Sequence, residues 1–390
     1  MAEGLTTNLV WVAFVVGLLG FWIASRDLSF PVALFLSVVK IAVPFVYFAW
    51  LFDGTWTFLD DMSYQSYGTE MLRLGYTPIT ALTNPEGIVM LTSLSGGSHI
   101  LYGWWNLLGQ YFFGEHYYSA VFLNVVLTFV SGFFFVRMLR ELGFSRRYQH
   151  WCLVFFLLQW DVLVWSSFPN LKDILVMTLT TVSIFLLVKL SREISIPRLG
   201  ILALVLSTFS LIRFYIIPVT LAAVGAWMFF NWRDRRKYIL LLGVIMAFFF
   251  PRNVGDVLEN VTLAEMIFGL LRFPLSPQPW SIDENYSFLL LPSIIHWVLF
   301  VPTLFGGWFL WRRFPLARLP LIYLIAVIAV GAIVPEAQGP RHRVQVTFIF
   351  AWMQFHFLWL ILRSALSGTA LNRSQISFMR ESLDKGLAVS

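Results

Sequence analysis

Long apolar runs set the pattern of this chain. Runs of spanning length occur at 8–25, 30–52, 118–136, 151–167, 173–190, 291–311, 319–335 and 344–363. A helix of about 20 apolar residues crosses the hydrocarbon core of a bilayer, so each run predicts a transmembrane helix. A shorter run lies at 238–251, and the stretch 199–230 has to be divided. Short basic runs separate them: Arg137, Arg140, Arg146 and Arg147; Lys189, Arg192 and Arg198; Arg233, Arg235, Arg236 and Lys237; Arg312, Arg313 and Arg318. Lysine and arginine collect in cytoplasmic loops, which puts all four runs on the inner side. Arg198 and Arg233 then face the same side, so an even number of crossings lies between them. The stretch between them is too short for two full spans of about 20 residues each. It predicts two short helices meeting part-way through the bilayer near Arg213 and Pro218, against protein or a watery cavity that covers the free backbone.

These spans add up to an all-α polytopic membrane protein of about eleven helices, N-terminus outside and C-terminus inside. Two N-terminal helices occupy 1–52. The first outer loop covers 53–117, and a helical bundle covers 118–363 with a second outer loop at 252–290. Residues 364–390 form a cytoplasmic tail. Both outer loops are acidic. The first carries Asp53, Asp60, Asp61, Glu70, Glu86 and Glu115 against Arg73; the second carries Asp256, Glu259, Glu265, Asp283 and Glu284 against Arg252 and Arg272.

The first outer loop has a pattern of its own. Tyr64, Tyr67, Met71 and Leu74 form one helical stripe, with Ser63, Ser66, Thr69, Glu70 and Arg73 off it. Asp60 or Asp61 can cap this helix, and Gly75 ends it. The segment His99 to Phe113 is too apolar for a solvated loop and too short to span. It reads as a helix lying in the interface, with Trp104 and Trp105 at headgroup level.

Composition agrees with the membrane reading. Hydrophobic residues make up 58% and charged residues only 12%, with a mean hydropathy of +0.76. A soluble domain averages about 25% charged residues. The net charge of +6 is spread over the basic runs, which argues against nucleic acid as a partner. The single cysteine, Cys152, excludes an intrachain disulfide and a cysteine-based zinc site. There is no P-loop, G-x-G-x-x-G after a strand, G-x-S-x-G or H-E-x-x-H.

Few side chains remain that could carry chemistry. Asp60 and Asp61 are adjacent carboxylates beside a low-dielectric boundary, where one could act as a general base. The plainer alternative is a helix cap with a solvated neighbour. Arg341, His342 and Arg343 lie on the outer side, against the positive-inside trend. Arginine's planar fork of donors suits a phosphate; the alternative is snorkelling to headgroups. Arg213 at a broken helix is costly to bury and is a functional candidate by default. Lys172 and Asp173 open an outer helix end, where Asp173 can also serve simply as a cap. His99 is a lone loop histidine, and His116, His296 and His356 have no neighbours at metal-ligand spacing.

In order and placement these segments resemble the GT-C polyprenyl-phosphate-dependent glycosyltransferases, the relatives of protein O-mannosyltransferases and the lipid A aminoarabinose transferase. The resemblance rests on Asp60-Asp61 followed by Tyr64, Gly68, Leu72 and Gly75; on SHILYGWWNLLGQYFF; on FPNLKDILV; on LIRFYIIP; and on Glu336 with Arg341-His342-Arg343. The chain departs from the family in an extra span before the acidic loop and in Ile100, where a proline often follows the histidine. The resemblance implies an inverting transfer of sugar from a polyprenyl-phosphate donor to a hydroxyl of a glycan, lipid or protein. It implies a site facing outward from a bacterial inner membrane. Asp60 would be the base, with Asp61 supporting it. Arg341, Arg343, His342, Arg213, Lys172, His99 and Tyr64 would bind the lipid phosphate and substrate. No cofactor is implied, and a divalent metal is not indicated although the chemistry could accommodate one. The competing expectation is a lipid-linked glycan transporter or a non-catalytic subunit of a polysaccharide assembly machine. A transporter would place its ionisable residues near the midplane.

Overall fold

A computed structural model describes residues 6–54, 58, 60–97, 99–230, 262–334 and 339–366. Those residues form an all-helical membrane protein. Among them, six helices are long and apolar enough to cross a membrane: Thr7–Ala24, Phe30–Leu51, Tyr118–Glu141, Asp173–Arg192, Pro315–Ile333 and Thr347–Ala365. A bent pair, Tyr286–Val298 and Phe300–Arg313, turns by 55° and supplies a seventh path. The expected span at 238–251 and most of the tail lie outside the described residues.

Three further apolar runs are not simple rods. Helix α1 (Thr7–Ala24) is regular, but α2 (Phe30–Val46) contains Pro44, whose ring removes a backbone donor, and it ends in a widened π turn at Tyr47–Leu51. The run expected to cross at 151–167 is broken. Its pieces are α8 (Arg146–Leu158) and α9 (Trp160–Ser167), hinged at Gln159. The Gln159 side chain caps α9 by accepting from the Val162 N–H at 2.9 Å, so the turn's free donor is satisfied without a continuous helix. The run 199–230 forms the two expected short helices, α11 (Ile196–Thr208) and α12 (Ile216–Phe230), joined through a 3-10 turn with Arg213 in the gap.

The first loop is a small helical layer over one end of the bundle. It contains α3 (Asp60–Arg73), α4 (Thr80–Thr83), α5 (Pro85–Leu94) and α6 (Ile100–Phe113). Helix α3 lies along α6, and Gly68 is the point of approach. A Cβ there would come within 2.9 Å of Asn106 and Leu107 backbone atoms, so only glycine lets the two helices close. Gly75, at φ +81°, turns the chain out of α3 while Tyr76 N–H bonds back to Met71. The expected stripe needs correction at its end: Tyr64 and Met71 are buried, but Leu74 is 47% exposed, because the helix stops before that turn can pack. The two tryptophans of α6 are half-buried. Trp104 donates to Pro78 O at 2.8 Å and Trp105 to Asn124 at 3.1 Å, so protein acceptors hold both indoles.

Helix α7 (Tyr118–Glu141) is the central post. It packs against α1, α6, α8, α9 and α10 (Asp173–Arg192). The later part of the chain contributes α13 (Leu263–Leu275), α14 (Leu290–Val298), α15 (Phe300–Arg313), α16 (Arg318–Ile333), the one-turn α17 (Pro340–Val344) and α18 (Thr347–Leu366). Helix α17 rests on α9, α10 and α13, which brings the end of the chain back to its acidic beginning.

Candidate functional site

The two adjacent aspartates go separate ways. Neighbouring positions on a helix point about 100° apart, so only one can face inward. Asp61 is fully buried. Its Oδ2 accepts from the Tyr117 hydroxyl at 2.6 Å, and its Oδ1 accepts from the N–H groups of Phe58 and Met62 at 3.1 and 2.8 Å. Asp60 keeps its carboxylate half exposed and meets Arg341 at 2.9 Å. The pair that looked like two equivalent carboxylates is therefore one anchor and one accessible group.

Behind Asp61 stands a polar scaffold that the sequence did not advertise. Tyr117 hydroxyl accepts from Asn170 N–H at 3.0 Å while donating to Asp61. The Asn170 amide donates to Asn106 Oδ1 at 2.7 Å and accepts from the Tyr102 hydroxyl at 2.8 Å, and that hydroxyl accepts from Asn124 at 3.0 Å. Burial first, and then the charge of Asp61, push the Tyr117 hydroxyl well above its ordinary pKa, which keeps it a neutral donor. Buried polar groups bonded in this way fix one geometry, because each lost partner leaves a desolvated group. Asn106 and Asn124 gave no signal because each sits singly in an apolar run, and Asn170 stood out only as part of the FPNLKDILV segment.

In front of the scaffold runs a chain of alternating charge. Asp60 pairs with Arg341, Arg341 Nε stands 3.5 Å from Asp173, and Asp173 pairs with Arg213. Asp173 and Arg213 are buried, whereas the Asp60 end is open. Burial alone would lower the Arg341 pKa. The charges of Asp173 and Asp60 outweigh that and hold it above its ordinary value, so Arg341 stays cationic. Asp173 caps nothing by its side chain in the described structure; its carboxylate is taken by arginines.

Lys172, His99 and Tyr64 join this chain from the side. Lys172 Nζ is 2.6 Å from His99 Nδ1, and the His99 ring meets Tyr64 edge-on at 5.5 Å. Burial first, then the Arg213 charge, lower the Lys172 pKa to about 7. Burial also raises the Tyr64 pKa, and its hydroxyl finds no hydrogen-bond partner among the described residues. His342 bonds to the Tyr215 hydroxyl at 2.8 Å and is lowered to about 3 by burial and then by Arg213, so it is neutral. A neutral imidazole adds no positive charge for a phosphate.

Arg343 does not join the others. Helix α17 is a single turn, and side chains two positions apart on it point to nearly opposite faces. Arg341 faces Asp60, while Arg343 is buried and bonds to Asp161 at 3.0 Å, to Pro274 O at 3.3 Å and to Ser276 O. Asp161 also accepts from Gln159 at 3.1 Å. The Gln159 hinge in the expected span is thus where a buried carboxylate meets this arginine. The sequence hint was Asp161 itself, an acid inside an apolar run.

A cleft of about 700 Å³ opens next to Pro340, lined among others by Phe268, Leu271, Arg272, Gln278, Asp283 and Tyr286. The Tyr286 ring lies 5.1 Å from that of Phe58, and Arg341 sits over the Phe58 ring at 6.0 Å, so the cleft adjoins the charged chain. No family model matches the chain, and neither a curated protein nor a solved structure does. Among the described residues no three His, Cys, Asp or Glu side chains gather at metal-binding distance. Glu336, grouped by sequence with Arg341, lies outside the described residues.

Proposed function

We propose that the chain is an integral membrane glycosyltransferase with a GT-C-like bundle. It moves a sugar from a polyprenyl-phosphate donor to an acceptor hydroxyl on the outer face of a bacterial inner membrane. The observation that carries this reading is the Asp60–Arg341 pair at 2.9 Å, between residues 281 positions apart, with Asp60 accessible and Arg341 backed by buried charges. An exposed carboxylate beside a fixed guanidinium provides a base and an anion site in one place.

The chemistry follows from those charges. The acceptor hydroxyl attacks the anomeric carbon, and its proton passes to the Asp60 carboxylate. The bond from the anomeric carbon to the phosphate oxygen breaks, and its electrons leave with the lipid phosphate. That group gains one negative charge, which Arg341 meets directly, with Lys172 and Arg213 adding field from behind. In the free protein Asp60 occupies Arg341. Donor phosphate competes for the same guanidinium and so releases the carboxylate towards the acceptor. Asp61 acts as the anchor of α3, and Arg343 as a clamp on α9. The adjoining cleft, part apolar and part polar, suits an amphiphilic substrate.

The test is release of polyprenyl phosphate from a panel of polyprenyl-phosphate sugars by the purified protein. The expected result is turnover by wild type and a loss of about 10²-fold or more in Asp60→Asn, the usual scale of a positioned base. Equal turnover by both proteins would sink the assignment of Asp60.

A further inference from the structure

The bundle has a second polar cavity at its other end. Helices α1 and α7 run away from the candidate site, and α2 starts at the far end and returns to it: Asn8 bonds to Phe113 O near the acidic layer, α7 starts beside Tyr117, and Phe48 after α2 lies 6.0 Å from the Tyr117 ring. At their far ends a cavity of about 350 Å³ is lined by Arg26, Asp27, Val136, Arg140, Arg146, Gln149 and His150. It lies between the α1–α2 turn, the last turns of α7 and the first turns of α8.

Its charge is unbalanced. The one carboxylate lining it, Asp27, is already held by two guanidiniums, Arg137 and Arg140, both at 3.1 Å. Glu141, the next acid on α7, is taken by Arg192 at 3.2 Å. Arg26 and Arg146 have no carboxylate partner among the described residues. The start of α8 adds the positive end of a helix dipole on the same side. Arg26 lies 4.4 Å over the exposed ring of Trp22, and Trp151 is exposed beside His150. Exposed indoles of this kind mark the headgroup level of a bilayer. Below them the outer face of α1 is apolar, with Leu18 and Leu19 exposed.

We propose that this cavity binds the phosphate of an anionic phospholipid, with Arg26, Arg140 and Arg146 on the phosphodiester and the acyl chains along α1. The chemistry shared with free phosphate is a singly or doubly charged phosphoryl group held by guanidinium forks. The apolar wall below it selects the lipid. Nothing in this site depends on the glycosyltransferase reading.

The test uses the full chain purified in a neutral detergent, with bound lipid counted by native mass spectrometry. Phosphatidylglycerol should be retained in preference to phosphatidylcholine. Neutralising Arg26→Gln or Arg146→Gln should weaken retention about fivefold for each arginine, the effect of one basic side chain near an anionic lipid surface. Arg147→Gln is the control, since Arg147 is exposed on the same turn and does not line the cavity. Arg146 is itself exposed and has no carboxylate partner among the described residues, so its variant should fold as wild type does. Equal retention of phosphatidylcholine, or an equal loss in the Arg147 variant, would overturn the proposal. Binding of inorganic phosphate alone, with no preference for phosphatidylglycerol, would overturn the lipid as occupant.

Discussion

Arg341 and Arg343 are two positions apart on one turn of helix, yet their surroundings are opposite. Arg343 is 2% exposed and donates to a buried carboxylate and two backbone carbonyls. Arg341 is 18% exposed, and its partner Asp60 is 50% exposed. A saturated buried ion pair holds elements together and has no bonding capacity left for a ligand. A half-open pair can exchange partners. The difference separates a clamp from a binding group where residue type cannot.

The largest expected effect lies on the clamp side. Arg343→Ala leaves the Asp161 charge buried without its main partner, and should cost about 3–5 kcal/mol. In a membrane protein this appears as loss of monodisperse material in size-exclusion chromatography. The double change Asp161→Leu with Arg343→Met should recover most of the folded yield, because a buried pair replaced by apolar groups is often neutral. If Arg343→Ala alone is as stable as wild type, the clamp reading fails.

A smaller effect lies at Lys172, on the edge of the open site. In the folded protein it releases its proton near pH 7, whereas the unfolded chain keeps it to ~10.4. Between those values the unfolded state holds more protons, so this group makes stability rise with pH; below about 7 its contribution is flat. Melting curves from pH 7 to 10 should show that rise in wild type and lose it in Lys172→Met. Identical slopes in the two proteins would mean that Lys172 keeps its ordinary affinity for protons.

The smallest effect on stability should come from Asp60→Asn. A half-exposed ion pair contributes about 1 kcal/mol or less. Its melting temperature should sit close to that of wild type even where donor turnover is lost. A collapse of the fold in this variant would place Asp60 with the clamp and erase the contrast.

Much of the architecture was legible in the residues. The apolar runs specified helices because a chain in hydrocarbon must satisfy its backbone internally. The amphipathic pattern and Gly75 marked α3, and Arg213 marked the gap between α11 and α12. The break at Gln159 was hidden, because an apolar run reads the same whether or not a side-chain cap interrupts it. The role of Asp173 was half visible: it starts α10, but only the return of α17 and the approach of Arg213 give its carboxylate partners.

The sequence by itself determined the class of protein, the two longer helices of the first loop and the residues from which a site could be built. Those properties follow from periodicity and transfer energy, which act locally along the chain. Only the tertiary structure decided which aspartate of Asp60-Asp61 is open and which arginine of the 341–343 turn is spent on the fold. Both decisions depend on the direction of a helix face relative to groups distant in the chain, 56 positions for Tyr117 beside Asp61 and 182 for Asp161 beside Arg343. The Asp60–Arg341 pair, the Asp161–Arg343 pair and the basic cavity at the far end all arise from such contacts.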